Sequence, residues 1–133
     1  MADTFKFELV SPERVLLSED AEQVVLPGLQ GDFAVLANHA PMLSTLRPGV
    51  LDVQLPGRTR RVFVKGGFAE VEPDRLTVLA QTAFDAEDSS AASTIAAELK
   101  TAQEELDEAK DDDSRFMAQE TVDRLRALQS GRD

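Results

Sequence analysis

The chain has 133 residues, a formal net charge of −11 and 42% hydrophobic residues, with no cysteine, tryptophan or tyrosine. That length holds one ordinary domain, or a smaller domain with an appendage. The negative charge and the scarcity of aromatic rings argue against nucleic acid as a partner, and the lack of cysteine excludes disulfides, thiolate metal sites and a cysteine nucleophile.

The first ten residues, MADTFKFELV, lack a basic region followed by an apolar run, so no secretory signal is predicted. No segment approaches the roughly 18 apolar residues of a membrane span. We therefore expect no direct insertion into a membrane.

The first two thirds of the sequence predict short strands separated by turn residues. Residues 4–10, TFKFELV, alternate apolar and polar side chains with the two-residue period of a half-buried strand. Eight further strand segments follow at residues 15–18, 22–26, 32–37, 42–47, 50–55, 61–65, 68–72 and 76–79. Because no helical period interrupts them, the pattern favours a β-sandwich of about ten antiparallel strands and excludes a parallel α/β fold.

The stretch 27–49 carries the polar side chains that we expect to form a contact surface. Pro-Gly pairs at both of its ends favour turns, and the apolar residues between them require burial. This arrangement leaves Gln30 with Asp32, and Asn38 with His39, on two loop tips that flank one strand. We interpret the tips as a docking surface held on a rigid sheet.

The only histidine, His39, has no evident catalytic partner. Ser44 lies five residues away, but such pairs are common by chance, and the chain has no nucleophile elbow, P-loop or zinc-protease motif. We expect His39 to bond a backbone group or to serve as a contact residue. A small hydrolase that uses both residues is the lowest-ranked hypothesis.

Two other motifs have structural interpretations. Gly66-Gly67 lacks the helix and lysine that follow a phosphate-binding loop, so we expect a bulge or a close crossing of strands. The arginines at 58, 60 and 61 sit at a predicted hairpin tip. We expect a solvated turn there, with docking of an acidic partner as the alternative.

The composition changes near residues 84–87. The segment that follows has no proline and is rich in good helix formers, with Ser89 or Ser90 as the expected N-cap. Its apolar residues recur at spacings of four and three, the seam of a helix that packs against one other helix. These residues are Ile95, Leu99, Ala102, Leu106 and Ala109.

A second apolar stripe, Ala118, Val122 and Leu125, follows the polar run 110–114. The pattern predicts an antiparallel helical hairpin over residues 87–133 after a β-sandwich over residues 1–86. A seam this narrow buries little apolar area, which barely offsets the entropy lost when two helices become ordered. We therefore expect the hairpin to change its conformation or its partner easily. We expect the aspartates 111–113 to be a solvated turn rather than a metal site.

The stretch 27–49 resembles the signature of the epsilon subunit of the bacterial F-type ATP synthase, approximately G-x-x-G-x-x-G-V-L-P-G-H-A-P-L-L-T-x-L-x-P-G. The residues in register are Gly28, Gly31, Val35-Leu36, His39-Ala40-Pro41, Leu43, Leu46 and Pro48-Gly49. Residues 66–72, GGFAEVE, are similar to that family's G-G-F-x-E-V segment, and residues 7–14, FELVSPER, match as well. The resemblance covers the whole chain and implies a ten-stranded sandwich followed by two helices.

The resemblance also implies a function. It implies a non-catalytic central-stalk subunit, peripheral on the cytoplasmic face of the bacterial inner membrane, that couples rotation of the c-ring to the gamma subunit. Carried over position by position, Gln30 and Asp32 face the c-ring. The residues implied on the gamma side are His39, Ala40, Pro41 and Met42. An exposed Asp32 suits basic groups in the polar loops of the ring.

The helices of this family can extend towards the alpha and beta subunits of the catalytic head and hinder ATP hydrolysis. The basic residues that would serve this contact here are Arg115, Arg124 and Arg126. So few cations argue against a firm grip on an acidic surface. A general adaptor with a helical arm is the second-ranked hypothesis, and nothing in the sequence favours it.

The chain departs from the family pattern at two further places. Ala34 replaces a glycine, and Ala37-Asn38 replace Pro-Gly, although asparagine tolerates the left-handed backbone that glycine adopts. Residues 89–94, SSAAST, keep neither the Asp nor the Arg of the ATP-binding I/L-D-x-x-R-A motif. We therefore expect no cofactor, and weak or no binding of ATP.

Overall fold

The computed structural model describes residues 3–131 and contains ten strands followed by two helices. The strands are β1 (Phe5–Val10), β2 (Val15–Ala21), β3 (Gln23–Gly28), β4 (Gly31–Leu36), β5 (Met42–Thr45), β6 (Gly49–Leu55), β7 (Arg58–Val64), β8 (Gly67–Glu72), β9 (Arg75–Ala80) and β10 (Ala83–Asp85). The helices are α1 (Ala91–Glu108) and α2 (Asp112–Gln129). The predicted sandwich and helical hairpin are confirmed.

The strands form two sheets of five. Sheet A has the order β2-β1-β9-β8-β5, and sheet B has the order β10-β7-β6-β3-β4. The pairs are antiparallel with one exception, because β1 and β9 run parallel, with Leu9 opposite Val78. The alternation of apolar residues did not predict this pair. Seven strands, β2 to β8, separate the two along the chain, so the pair needs no crossover helix.

The main core lies between the two sheets, because alternate side chains of each strand point inward. Phe7 and Leu76 of sheet A are fully buried there, as are Leu26 and Leu51 of sheet B. This core makes the sandwich a rigid support for the loops at its edges.

A second apolar cluster joins the helical hairpin to the outer face of sheet B. Val50, Phe63 and Phe84 lie side by side on β6, β7 and β10, and the ring centroids of the two phenylalanines are 5.3 Å apart. Ile95 of α1 and Leu125 of α2 belong to the same cluster, in which Phe63 is completely buried. The hairpin therefore buries more than the seam between its own helices.

The aspartates 111–113 are exposed, as expected, but they begin α2 rather than form a turn. Asp111 is the N-cap of α2, and its carboxylate accepts a hydrogen bond of 2.7 Å from the backbone amide of Ser114. That bond holds the pKa of Asp111 below its ordinary value. Asp112 and Asp113 form the first turn, where carboxylates favour the helix dipole.

The N-terminus of α1 has the expected serine but not the expected bond. Ser90 is the N-cap, yet its side chain does not cap the helix. Its hydroxyl donates instead to the carboxylate of Asp88 at 2.6 Å, and this bond is the main cause that lowers the pKa of Asp88.

Within residues 3–131, no group of three or more metal-binding side chains could hold an ion.

The Gly66-Gly67 pair marks the close crossing of strands that the sequence predicted. Gly67 has a φ of +124°, and a Cβ atom there would overlap the carbonyl oxygen of Leu79 on the neighbouring strand. Only glycine fits this position without moving backbone.

Of the arginines at 58, 60 and 61, Arg58 is exposed at the hairpin tip, as expected, whereas Arg60 and Arg61 make ion pairs across strands. Arg60 lies 2.9 Å from Asp85 of β10, and Arg61 lies 3.0 Å from Asp52 of β6. The side chain of Arg60 is 30% exposed and that of Arg61 is 25% exposed. Arg60 and Arg61 therefore help to fix the strand pairing.

Candidate docking site

The stretch 27–49 folds along one open side of the sandwich. There β4 is the edge strand of sheet B, and β5 is the edge strand of sheet A. The short segment 37–41 carries the chain from one sheet to the other. Two edge strands and the loops at their ends thus form the candidate docking site.

The first loop tip is the tight turn between β3 and β4. Gly28 pairs with Gly31, so only Leu29 and Gln30 form the turn. A Cβ atom on Gly28 would lie 2.6 Å from the carbonyl oxygen of Gly31 and 2.9 Å from the ring of Phe33, and Gly31 has a φ of +136°. The glycines make the turn possible, and the turn leaves Leu29 54% exposed beside an exposed Gln30.

Asp32 follows this tip on β4 and has a partner within the chain. One of its carboxylate oxygens lies 2.5 Å from Nη2 of Arg47, whose Nε donates to the carbonyl of Gly28 at 3.0 Å. The side chain of Asp32 is 63% exposed, whereas that of Arg47 is 17% exposed. A basic group of a partner would therefore compete with Arg47 for Asp32. This arginine was not predicted as a site residue, because it lies fifteen residues away in the sequence.

The second loop tip has the predicted backbone conformation. Asn38 has a φ of +67° and is the one non-glycine residue with a positive φ among residues 3–131. Its amide donates to the carbonyl of Pro73 at 2.7 Å, which ties the segment to the β8–β9 turn. Asparagine thus replaces the glycine of the family pattern, as expected.

His39 is a half-buried loop histidine bonded to a backbone group, as the sequence analysis predicted. Its Nδ1 donates to the carbonyl of Ala40 at 2.7 Å. The hydroxyl of Ser44 donates to the carbonyl of Thr45 at 3.2 Å. Each side chain is therefore engaged by the residue that follows it, and the two do not form a nucleophile and base.

The first tip and β5 share one groove of about 520 Å³, lined by residues 28–33 and 42–45. The amide of Leu29 donates to the carbonyl of Thr45 at 2.9 Å, which holds the two walls together. Gln30, Asp32 and Met42 all line this groove, so residues expected on two separate surfaces lie on one. We call it the edge groove.

Three apolar side chains of the edge groove are exposed. Leu29 and Leu43 were not predicted as site residues, and Met42 was predicted as a contact but not as part of an apolar surface. Leu43 is 68% exposed and Met42 is 39% exposed on β5, and both line the groove together with Leu29. The sequence of an edge strand can indicate which of its side chains are exposed, but it does not show which other segment of the chain lies across a groove from them. His39, Ala40 and Pro41 lie in the crossing segment beside the groove and are not part of its lining.

The arginines expected to reach the catalytic head are engaged within α2 or exposed at its end. Arg115 lies 3.5 Å from Asp112, and Arg124 lies 3.8 Å from Glu120. Arg126 is exposed in the last turn. Arg124 also lines a cavity of about 70 Å³ together with charged residues of sheet B, so it lies at the boundary between hairpin and sandwich.

Known proteins are similar in sequence to this chain over both the sandwich and the hairpin. Residues 4–86 match the family model for the ATP synthase, Delta/Epsilon chain, beta-sandwich domain. An ATP synthase epsilon chain of Parvibaculum lavamentivorans is 46% identical over 129 residues, which cover 96% of this chain and 97% of that protein. The chain belongs to the ATP synthase epsilon chains. A second such relative, from Rhodospirillum rubrum, is 54% identical over 110 residues, which cover 82% of this chain and 81% of that protein.

Solved structures share the fold of this epsilon chain. A chain of the Euglena gracilis mitochondrial ATP synthase superposes with a TM-score of 0.72 at 21% identity, covering 96% of this chain and 81% of that one. A chain of the Tetrahymena thermophila mitochondrial ATP synthase, in its central stalk and c-ring structure, gives 0.66 at 13% identity and covers 99% and 98%.

Membership in the epsilon chains confirms two expectations from the sequence. The family resemblance is correct, and the chain is a non-catalytic subunit of the ATP synthase rather than an enzyme by itself. No helix within residues 3–131 is both long and apolar enough to cross a membrane.

Proposed function

We propose that this epsilon chain is the central-stalk subunit that links the gamma subunit to the c-ring of a proton-translocating F-type ATP synthase. The observation that carries the proposal is the edge groove, where Leu29, Met42 and Leu43 are exposed on a rigid sheet beside a polar loop tip. Exposed apolar side chains grouped in this way indicate a protein interface. The epsilon chain would then lie peripherally on the cytoplasmic face of the inner membrane.

Gln30 and Asp32 are the proposed contacts of the c-ring. They lie at the first loop tip, and the carboxylate of Asp32 is the charged group that points out of the sandwich there. A basic side chain of the ring would replace Arg47 as the partner of Asp32, while Arg47 keeps its bond to the carbonyl of Gly28. Because such rim pairs are solvated, we expect them to set orientation and association rate more than affinity.

His39, Ala40, Pro41 and Met42 are the proposed contacts of the gamma subunit. Ala40, Pro41 and Met42 are exposed, and the backbone of the segment is fixed by the bond of Asn38 to Pro73. A fixed segment loses little conformational entropy on binding. The edge groove then includes residues of both proposed contact regions, so the two partners would meet there.

The experiment is co-purification with the gamma subunit and the membrane ring. We expect Leu43→Asp to weaken association by about tenfold or more, since it places a charge in an apolar contact. Val15→Asp is the matched control, because Val15 is 55% exposed on β2, at the opposite edge of sheet A. Equal retention of the two variants would exclude the edge groove, and a wild-type chain that never associates would overturn the function.

We also propose that the epsilon chain binds ATP weakly or not at all. The support is the sequence of residues 89–94, which lacks both the carboxylate and the guanidinium of the family's ATP motif. Isothermal titration of the full chain with ATP tests this directly. A micromolar dissociation constant would contradict it.

The hairpin is the proposed regulatory arm, with the alpha and beta subunits as the partners of Arg115, Arg124 and Arg126. Two of these arginines have carboxylate partners on their own helix, so we expect only weak inhibition of ATP hydrolysis. Comparing hydrolysis by the whole complex with and without residues 87–133 measures it. A severalfold rise on truncation would show that inhibition is strong.

A further inference from the structure

A small cavity between α2 and the sandwich brings three arginine side chains together. It has a volume of about 70 Å³, and Arg47, Arg61 and Arg124 all line it. Their side chains are 17%, 25% and 37% exposed, respectively, so each is largely buried. Two aspartates, Asp32 and Asp52, also line the cavity. We call this space the arginine cavity.

The charges of the arginine cavity favour an anion. Its three arginines outnumber its two aspartates by one, although the chain as a whole carries a net charge of −11. Each aspartate pairs with an arginine of the sandwich, because Asp32 lies 2.5 Å from Arg47 and Asp52 lies 3.0 Å from Arg61. The positive charge in excess is therefore that of Arg124, the residue that the hairpin contributes.

The guanidinium of Arg124 has hydrogen-bond donors to spare. Its ion pair with Glu120 is 3.8 Å long, which is beyond hydrogen-bond distance, and Glu120 does not line the cavity. Within residues 3–131 this guanidinium donates no hydrogen bond. Its five N–H groups are therefore available to an acceptor from outside the chain.

We propose that the arginine cavity binds hydrogen phosphate, the phosphate dianion that still carries one proton. Guanidinium groups bind phosphate oxygens through charge-assisted hydrogen bonds, which are often bidentate. Asp32 and Asp52 each use Oδ1 in their ion pairs, so a carboxylate is at hand to accept a hydrogen bond from the phosphate O–H, which sulfate lacks. The cavity is far smaller than the roughly 300 Å³ or more of sites for larger ligands, so we expect inorganic phosphate, and not ATP, to bind there.

A phosphate in the arginine cavity would join the hairpin to the sandwich. Arg47 and Arg61 belong to the sandwich, whereas Arg124 belongs to α2. The three can therefore contact one anion only while the hairpin is packed. A ligand that binds only this arrangement stabilises it by mass action. The proposal goes beyond the docking function and does not depend on it.

The test is a calorimetric titration of the full chain with sodium phosphate at constant ionic strength, repeated with sodium sulfate. Amide hydrogen exchange over residues 112–129 is followed with and without phosphate. Arg124→Gln removes the guanidinium of the hairpin from the cavity. Its matched control is Arg126→Gln, because Arg126 is exposed on the same helix and does not line the cavity.

We expect the wild-type chain to bind phosphate more tightly than sulfate, and bound phosphate to slow exchange in α2. Arg124→Gln should weaken phosphate binding by about tenfold or more, while Arg126→Gln stays within about twofold of wild type. The proposal would be overturned by the absence of binding heat at millimolar phosphate, by equal losses in the two variants, by equal binding of sulfate, or by unchanged exchange in α2. The proposed function would survive any of these results, since co-purification with the gamma subunit and the ring tests it separately.

Discussion

Phe63→Ala should release the helical hairpin from the sandwich without unfolding the sandwich. Phe63 is fully buried, but on the outer face of sheet B, where α1 and α2 cover it. When the hairpin leaves, the phenylalanine lies on an open sheet face. The substitution therefore removes apolar burial chiefly from the packed state of the hairpin and leaves the core between the sheets unchanged.

The size of the effect follows from the area that the hairpin covers. Full burial of a phenylalanine side chain contributes about 1.5–3 kcal/mol. Its stacking on Phe84, with ring centroids 5.3 Å apart, joins two strands of the sandwich and persists when the hairpin leaves. We expect the packing equilibrium of the hairpin to fall by about 2 kcal/mol, or roughly 30-fold.

Amide hydrogen exchange resolves the two parts of the molecule. In Phe63→Ala the amides of α1 and α2 should exchange roughly 30-fold faster, while those of β3 and β6 keep their protection. Leu36→Ala is the control, since Leu36 lies on the same outer face but is 51% exposed. Unchanged helix protection combined with lost strand protection would refute the reasoning, because Phe63 would then stabilise the sandwich itself.

Three further predictions concern single residues. Gly67→Ala should lower the melting temperature more than Gly57→Ala. Both glycines have a positive φ, which costs an alanine about 1–2 kcal/mol, but only at Gly67 would the added Cβ also meet a backbone oxygen. Equal shifts of the melting temperature would contradict the role of that oxygen. Lys65→Met should make hairpin protection less dependent on salt, since it removes the ion pair with Glu105; an unchanged salt dependence would show that the pair contributes nothing. The pKa of Asp111 is lowered in the folded chain, so the stability it adds is present above its ordinary pKa of 3.8 and is lost as the pH falls through the lower folded value. Circular dichroism of Asp111→Asn, which keeps a cap but cannot titrate, should show a smaller loss of helix in acid than the wild type; identical acid profiles would refute the role of Asp111.

The strands could be predicted from the sequence because their alternation is local. The three-residue β10 is too short to show a period, and it was not among the predicted segments. The pairing of β1 with β9 joins distant parts of the chain, and nothing in either strand specifies a parallel neighbour. The docking of the hairpin left one signal: residues 62–64, VFV, form a continuous apolar run, which is typical of a strand covered on both faces.

The candidate site was predictable only in part for the same reason. Turn chemistry located both loop tips and the left-handed Asn38. It could not show that β4 and β5 are edge strands of different sheets, which is what brings Met42 beside Gln30 and Asp32. The ion pair of Asp32 with Arg47 likewise depends on the tertiary fold.

The parallel pairing of β1 with β9 has a consequence for synthesis of the chain. As translation proceeds, β1 and β2 can form a hairpin early, but the second edge of β1 stays unpaired until residues 75–80 have left the ribosome. The local hairpins of sheet B, β3–β4 and β6–β7, can form in the meantime. Closure of sheet A is thus a late step of high contact order, and until it occurs an open, partly apolar strand edge is available to chaperones and to other nascent chains.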